Sequence, residues 1–415
     1  MTTFIVLKLF NNIRKEIEMN IKKVTALCLS LIMVASMTSA AFAETRSGGN
    51  TDKDAIESVV ADFFEEKEES FVEDEYFDTT SYYIDSKKSL VANETSTKLF
   101  EFERLARASV KEDVSDEDFG FSINNIDITD AEATVEAFEW YEYTYQNDVI
   151  RSSRGTTFKF KCSNQDGDWK FVDIQTDNEI EGLVEDVDDV ALLFEGGIEI
   201  RDEMIEDDDS DSDLQTPSRT LMETHDYDRS RAATYALQYS DSSHTNSGTN
   251  SYNSKFKNYA PNDCQNFVSQ CVWYGLGGTD NQAVINNRNK PMITSDGRKW
   301  YGRASGSSYS WIQVGTFRDY VVPKSDNLEG IYGVRYAQGN AAKAQKGDAV
   351  QICDSSGTYY HTYIVSGVTG TYGERTISNL KICAHTCNRR NENLGTVLGA
   401  SCTAFRVVRI NGTRY

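Results

Sequence analysis

Two residues of this chain have the side chains and the settings for covalent attack on a carbonyl. Cys264 follows Asp263 directly and opens the run Cys264-Gln265-Asn266-Phe267-Val268-Ser269-Gln270-Cys271. Cys264, Phe267, Val268, Cys271 and Val272 recur at helical spacing, so a helix starting there sets the thiol on its first turn. Free backbone N–H groups and the helix dipole at that position favour thiolate over thiol. Asp263 can cap this helix and Gly275 can end it. His361 lies in Tyr359-Tyr360-His361-Thr362-Tyr363-Ile364-Val365, whose β-branched and aromatic residues predict a strand. A sulfur nucleophile and an imidazole that takes and returns a proton are the parts of a thioester mechanism. The Cys264 backbone N–H would give one oxyanion donor, and Asn258 lies in a stretch suited to a second.

These groups need a rigid frame. A helix is expected over Asp226–Tyr239, with Ala232, Tyr235, Ala236 and Tyr239 on one face, and a polar loop over Ser240–Asn262. After the Cys264 helix comes an irregular aromatic stretch with Trp300, Trp311 and Tyr320. Strands follow over Gly347–Ile352, Tyr359–Val365, Thr376–His385 and Thr403–Ile410. His385 would end the strand after that of His361, where a residue orienting the imidazole belongs, and Asn388 competes for that role. His225 and His244 lie in polar segments and receive no role. A helix bearing the thiol, then an antiparallel sheet bearing the base, makes the class α+β.

Cys383, His385 and Cys387 alternate, so a straight strand would turn all three to one side. Cys353 or Cys402 could complete a tetrahedral set. Ligands about 6–7 Å apart along one strand suit a single ion poorly, so no metal site is assigned. No cofactor is expected. Pairing among Cys162, Cys271, Cys353, Cys383, Cys387 and Cys402 stays open, because spacing does not fix it.

Charge divides the chain. Residues 44–222 carry 49 acidic and 16 basic side chains, whereas residues 223–415 carry 14 and 21. The run Glu206-Asp207-Asp208-Asp209-Ser210-Asp211-Ser212-Asp213 has no apolar content to bury. A linker is therefore placed over 200–222, between an acidic α+β domain over 50–195 and a domain over 223–415. The acidic domain is expected to hold a helix with Ala55, Val59, Val60, Phe63 and Phe64 on one face. A second helix over Thr95–Val110 and strands over Phe119–Ile128, Ala133–Asn147, Ile150–Cys162 and Trp169–Gln175 follow. It shows no catalytic constellation. It reads as a binding, spacer or inhibitory unit, one that masks the basic half or leaves as a pro-segment after cutting near Asp207–Thr220. Residues 1–43 read as a Sec-type signal peptide: Lys22 and Lys23, an apolar run to Val34, then Ala41-Phe42-Ala43 before Glu44. The run is too short for a good membrane span, so a secreted or cell-wall location is expected, with no membrane span after cleavage. The basic half suits an anionic cell-wall polymer, and no nucleic-acid partner is expected.

Several strings, in order, resemble a bacterial family of putative amidase domains. They are Asp226–Ala236, Asn262–Gln270, Gly347-Asp348, His361 with Ile364-Val365, and Ala384-His385-Thr386. The resemblance covers about 223–410. It implies a papain-like cysteine hydrolase near the CHAP amidases, with Cys264 as nucleophile, His361 as base then acid, and a third polar group orienting His361. It also implies peptidoglycan or another peptide as substrate. The chain departs from the family pattern after the histidine, where Tyr363 stands in place of a commoner small residue.

Overall fold

Helical spacing in the acidic half buries one face of two long helices. In the computed structural model, which describes residues 51–110, 114–145, 150–184, 187, 189–191, 224–240, 252–280, 293–322 and 328–415, helix α1 covers Thr51–Glu73. Helix α2 covers Lys87–Val110, beginning earlier than the expected Thr95. The expected leader over 1–43, the linker over 200–222 and His244 lie outside the described residues. Ile56, Val60, Phe63 and Phe64 of α1 are fully buried. Around Phe63 the rings of Phe64, Phe77, Tyr82, Phe100, Phe160 and Phe171 stand edge-on at 5.3–5.8 Å, the arrangement that aromatic quadrupoles prefer.

Four strands run as an antiparallel meander: β1 (Val114–Thr129), β2 (Glu132–Tyr145), β3 (Ser152–Gln165) and β4 (Asp168–Thr176). Asp166 and Gly167, with φ of 57° and 97°, make the two-residue turn between the last two strands. Asp-Gly in that position matches the strand twist at no steric cost to glycine. A short helix, α3 (Glu181–Val184), follows.

The basic half opens with β5 (Thr224–Asp226), α4 (Arg229–Tyr239) and α5 (Cys264–Gly275). A small hairpin of β6 (Gly302–Arg303) and β7 (Gly306–Ser307) leads to α6 (Tyr309–Ile312) and α7 (Val314–Val321). Strands β8 (Gly330–Tyr336), β9 (Ala349–Cys353), β10 (Tyr359–Val368), β11 (Leu380–Ala384) and β12 (Asn388–Asn393) come next. Helix α8 (Leu394–Leu398) and β13 (Phe405–Arg414) close the chain. The class is α+β.

One sheet runs through both halves in the order β1-β2-β3-β12-β11-β10-β9-β13-β5, with β4 on β3 and β8 on β13. The seam is β3 with β12, where Asn388, Arg389 and Arg390 pair with Gly155, Arg154 and Ser153. Ile56–Tyr415 form one compact unit. Strand β12 was not foreseen because Asn388-Arg389-Arg390-Asn391-Glu392-Asn393 is wholly polar. Its Arg389 and Glu392 are nonetheless buried, as an ion pair at 2.5 Å, which is how charge enters a core. No described helix is long and apolar enough to cross a membrane.

The residues just before α4 fasten it to the rest. Asp228 caps α4 by accepting from the Arg231 N–H at 2.9 Å. The Tyr227 ring fills the space beside Gly275, where an added Cβ would lie 2.1 Å from a ring carbon, and its hydroxyl donates to the Gly347 carbonyl at 2.7 Å. Arg229 pairs with the fully buried Asp348. Gly275 therefore does not end α5 by a left-handed turn. Gly277 has the positive φ of 81°, and Gly275 is needed for the approach of Tyr227.

Candidate active site

Helix α5 is buried on nearly all sides, so its polar residues must find partners inside. Asn266 donates to the Lys257 carbonyl at 3.0 Å and accepts from the Trp311 indole at 2.8 Å. Ser269 donates to the Trp311 carbonyl at 2.8 Å, and Gln270 accepts from the Tyr235 hydroxyl at 2.7 Å. These bonds fix the helix between α4 and the aromatic segment around Trp311, and so fix the place of its first residue, Cys264.

Asp263 does not cap α5 with its side chain. Its carboxylate turns back instead, accepting from the Tyr259 N–H and the Asn266 amide at 2.8 Å each. The other oxygen lies 2.7 Å from His385 Nδ1. These three partners outbid the helix N–H groups for the two oxygens.

Cys264 keeps part of its surface open. Its sulfur receives the backbone N–H of Thr362, on β10, and that of Gln265. The thiol is thereby held against the strand that carries His361, one residue from it. Burial pushes the thiol up to about 12, against the pull of those two N–H groups, with Asp263 and Glu179 adding to the rise. The expected preference for thiolate at the helix start is therefore reversed, because desolvation outweighs the backbone dipoles. His361 is buried, and burial lowers it to about 4; Glu179 opposes the fall and Arg389 adds to it. At neutral pH the pair rests as thiol and neutral imidazole. The Nε2 of His361 is buried without a hydrogen-bond partner.

His385 is brought to the site but not to His361. Its Nδ1 faces Asp263, and its Nε2 lies 2.8 Å from the Tyr239 carbonyl, with the ring stacked on Phe267 at 3.9 Å. Both ring nitrogens are occupied, so the expected orienting role does not fit; His385 positions the residue before the thiol instead. Asn388 opens β12 opposite Gly155. Asn258 is exposed, its amide oxygen accepting from the Ala260 N–H at 2.7 Å.

The alternation of Cys383, His385 and Cys387 is broken because β11 ends at Ala384 and Thr386 and Cys387 turn to φ of 65° and 50°. Cys383 accepts from the Asn391 N–H at 3.3 Å, and Cys387 lies 3.4 Å from the Thr156 hydroxyl. The seven described cysteines are free thiols.

A carboxylate from the acidic half also reaches β10. Glu179, in the turn after β4, accepts from the Tyr363 hydroxyl at 2.7 Å and from Arg389 Nε at 2.5 Å. Its backbone carbonyl accepts from the Tyr360 hydroxyl at 2.6 Å. Burial alone would raise Glu179, but Arg389, His361 and the Tyr363 bond together hold it below the usual carboxylate range. Sequence reasoning missed Glu179, which sits far from the motifs. The one signal was Tyr363, the departure from the family pattern, whose hydroxyl it engages.

Nothing among the curated proteins or the solved structures matches the chain. A family model does, over residues 226–408, and its name points to amide hydrolysis as the class of activity. That span begins beside Tyr227, holds Cys264, His361 and His385, and excludes Glu179. Over those residues the chain is similar to the family described as "Putative amidase domain".

Proposed function

We propose that this chain is an exported, papain-like cysteine amide hydrolase acting on peptide or amide bonds of cell-wall peptidoglycan. The observation that supports the reading is the Thr362 N–H on the Cys264 sulfur, which holds the thiol against β10 at the residue that follows His361. The sulfur attacks the amide carbonyl while His361 accepts its proton, and the Cys264 backbone N–H steadies the oxyanion. His361 then protonates the leaving amine, and water hydrolyses the thioester. Because the resting pair is neutral, the proton moves as the sulfur attacks. The basic residues over 223–415 and the signal-like 1–43 support an anionic wall as the setting. Mass spectrometry of products from purified peptidoglycan tests this: the full mature chain should release fragments that Cys264→Ala does not. Equal release by both would overturn it.

A second reading, a catalytically inactive cell-surface binding module, is favoured by one observation: Cys264 pushed up to about 12 leaves little thiolate near neutral pH. Alkylation separates the two. A working pair makes labelling of Cys264 depend on His361, so His361→Asn should slow it, whereas an inert thiol would label alike in both proteins.

A further inference from the structure

Two buried polar atoms without partners stand on the His361 side of β10. One is His361 Nε2, and the other is Glu179 Oε2. The other Glu179 oxygen is held by Tyr363, whose ring lies 4.8 Å from the His361 ring, centroid to centroid. Tyr363 is two residues beyond His361, so on a strand both side chains take the same face. Glu179 is therefore fixed beside the imidazole by three bonds, from Tyr360, Tyr363 and Arg389. The turn that presents it is fixed as well. Asn178 accepts from the Ile180 N–H at 3.1 Å and donates to the buried Glu103 at 2.7 Å. Neither His385 nor Asn388 supplies a group for Nε2.

We propose that Glu179 is the positioning residue of His361, its open oxygen holding the Nε2 proton so that Nδ1 keeps a lone pair for the Cys264 thiol. Leaving both atoms unpaired would carry the full desolvation penalty of each buried polar group. A rotation of the carboxylate toward the ring, or one bridging water, would satisfy both. An ionised carboxylate only accepts, so here it selects the Nε2–H tautomer, just as the carboxylate of a serine-protease triad selects the opposite, Nδ1–H, tautomer of its histidine. The group lies outside residues 226–408. The site is then assembled from both halves of the chain, and the acidic half completes it instead of merely covering it. The inference rests on His361 as the base in the proposed reaction.

The test uses the full mature chain with 15N-labelled histidine, His361 being assigned by its loss in His361→Asn. Long-range 1H–15N spectra at neutral pH should show His361 protonated at Nε2. A proton on Nδ1 would overturn the proposal without any variant being made. In Glu179→Gln, with near-UV circular dichroism unchanged, His361 should titrate at lower pH. Amide release should fall about tenfold to a hundredfold in kcat with KM little changed, and Glu179→Asp should recover part of it. A folded Glu179→Gln with unchanged titration and kcat would overturn it. If Cys264→Ala kept wild-type release, the hydrolase reading would fail, yet the tautomer and titration would still judge the Glu179–His361 contact.

Discussion

The carboxylate of Asp263 lies 2.7 Å from His385 Nδ1, and that contact turns the aspartate away from the helix it precedes. The residue before the candidate nucleophile is thus anchored to β11, and α5 begins where that anchor places it. His385→Ala should cost about 2–4 kcal/mol, because it leaves the buried Asp263 with fewer partners and the Tyr239 carbonyl with none from the ring. Amide release should fall through kcat, while the acid limb of the pH profile stays in place. A shift of that limb in His385→Ala would return the orienting role to His385.

Acid stability should report on His361. Its ordinary pKa of 6.5 applies to the unfolded chain, and burial lowers the folded value to about 4. Above pH 6.5 neither state binds the proton and the contribution is fully present. Between 6.5 and about 4 the unfolded chain takes up a proton that the folded one refuses. Stability should fall there by roughly 3 kcal/mol, read from urea midpoints, and His361→Gln should flatten this slope. Comparing the two proteins isolates His361 from Asp348, whose carboxyl burial pushes up to about 6 and which acts in the opposite sense. The acid limb of kcat/KM should likewise lie near pH 4.

Gly275→Ala should destabilise the protein although alanine favours helices. The added Cβ would meet a Tyr227 ring carbon at 2.1 Å, and Tyr227 is itself bonded to Gly347. Overpacking of this kind costs about 1–3 kcal/mol, so the melting temperature should drop by several degrees. A melting temperature equal to that of the wild type would show that Tyr227 can move aside.

Cutting the chain between residues 200 and 222, at an engineered protease site, should leave the two halves together. They share the β3–β12 ladder, the Ser152 bond to the Asn391 carbonyl at 2.7 Å and the buried Glu179–Arg389 pair. The fragments should co-elute in size exclusion and keep the activity of the intact chain. Separate elution would restore the idea of a releasable pro-segment.

Much of the site could be read along the chain. The spacing of Cys264, Phe267, Val268 and Cys271 set a helix with the thiol first, and the aromatic and β-branched run around His361 set its strand. Both are local patterns with a period, and periodicity is what sequence carries. The polar β12 escaped, because a strand whose arginine and glutamate are buried as pairs has no apolar signature.

The sequence by itself determined which side chains could react and on what kinds of element they ride, since those depend on neighbours a few residues away. Tertiary structure alone decided the company they keep. Burial reversed the thiol preference at Cys264, Asp263 and Tyr239 claimed both nitrogens of His385, and a sheet crossing from one half to the other delivered Glu179 to β10. Each of these is an effect of desolvation or of long-range pairing. Such effects act between residues far apart in the chain, so no local pattern records them.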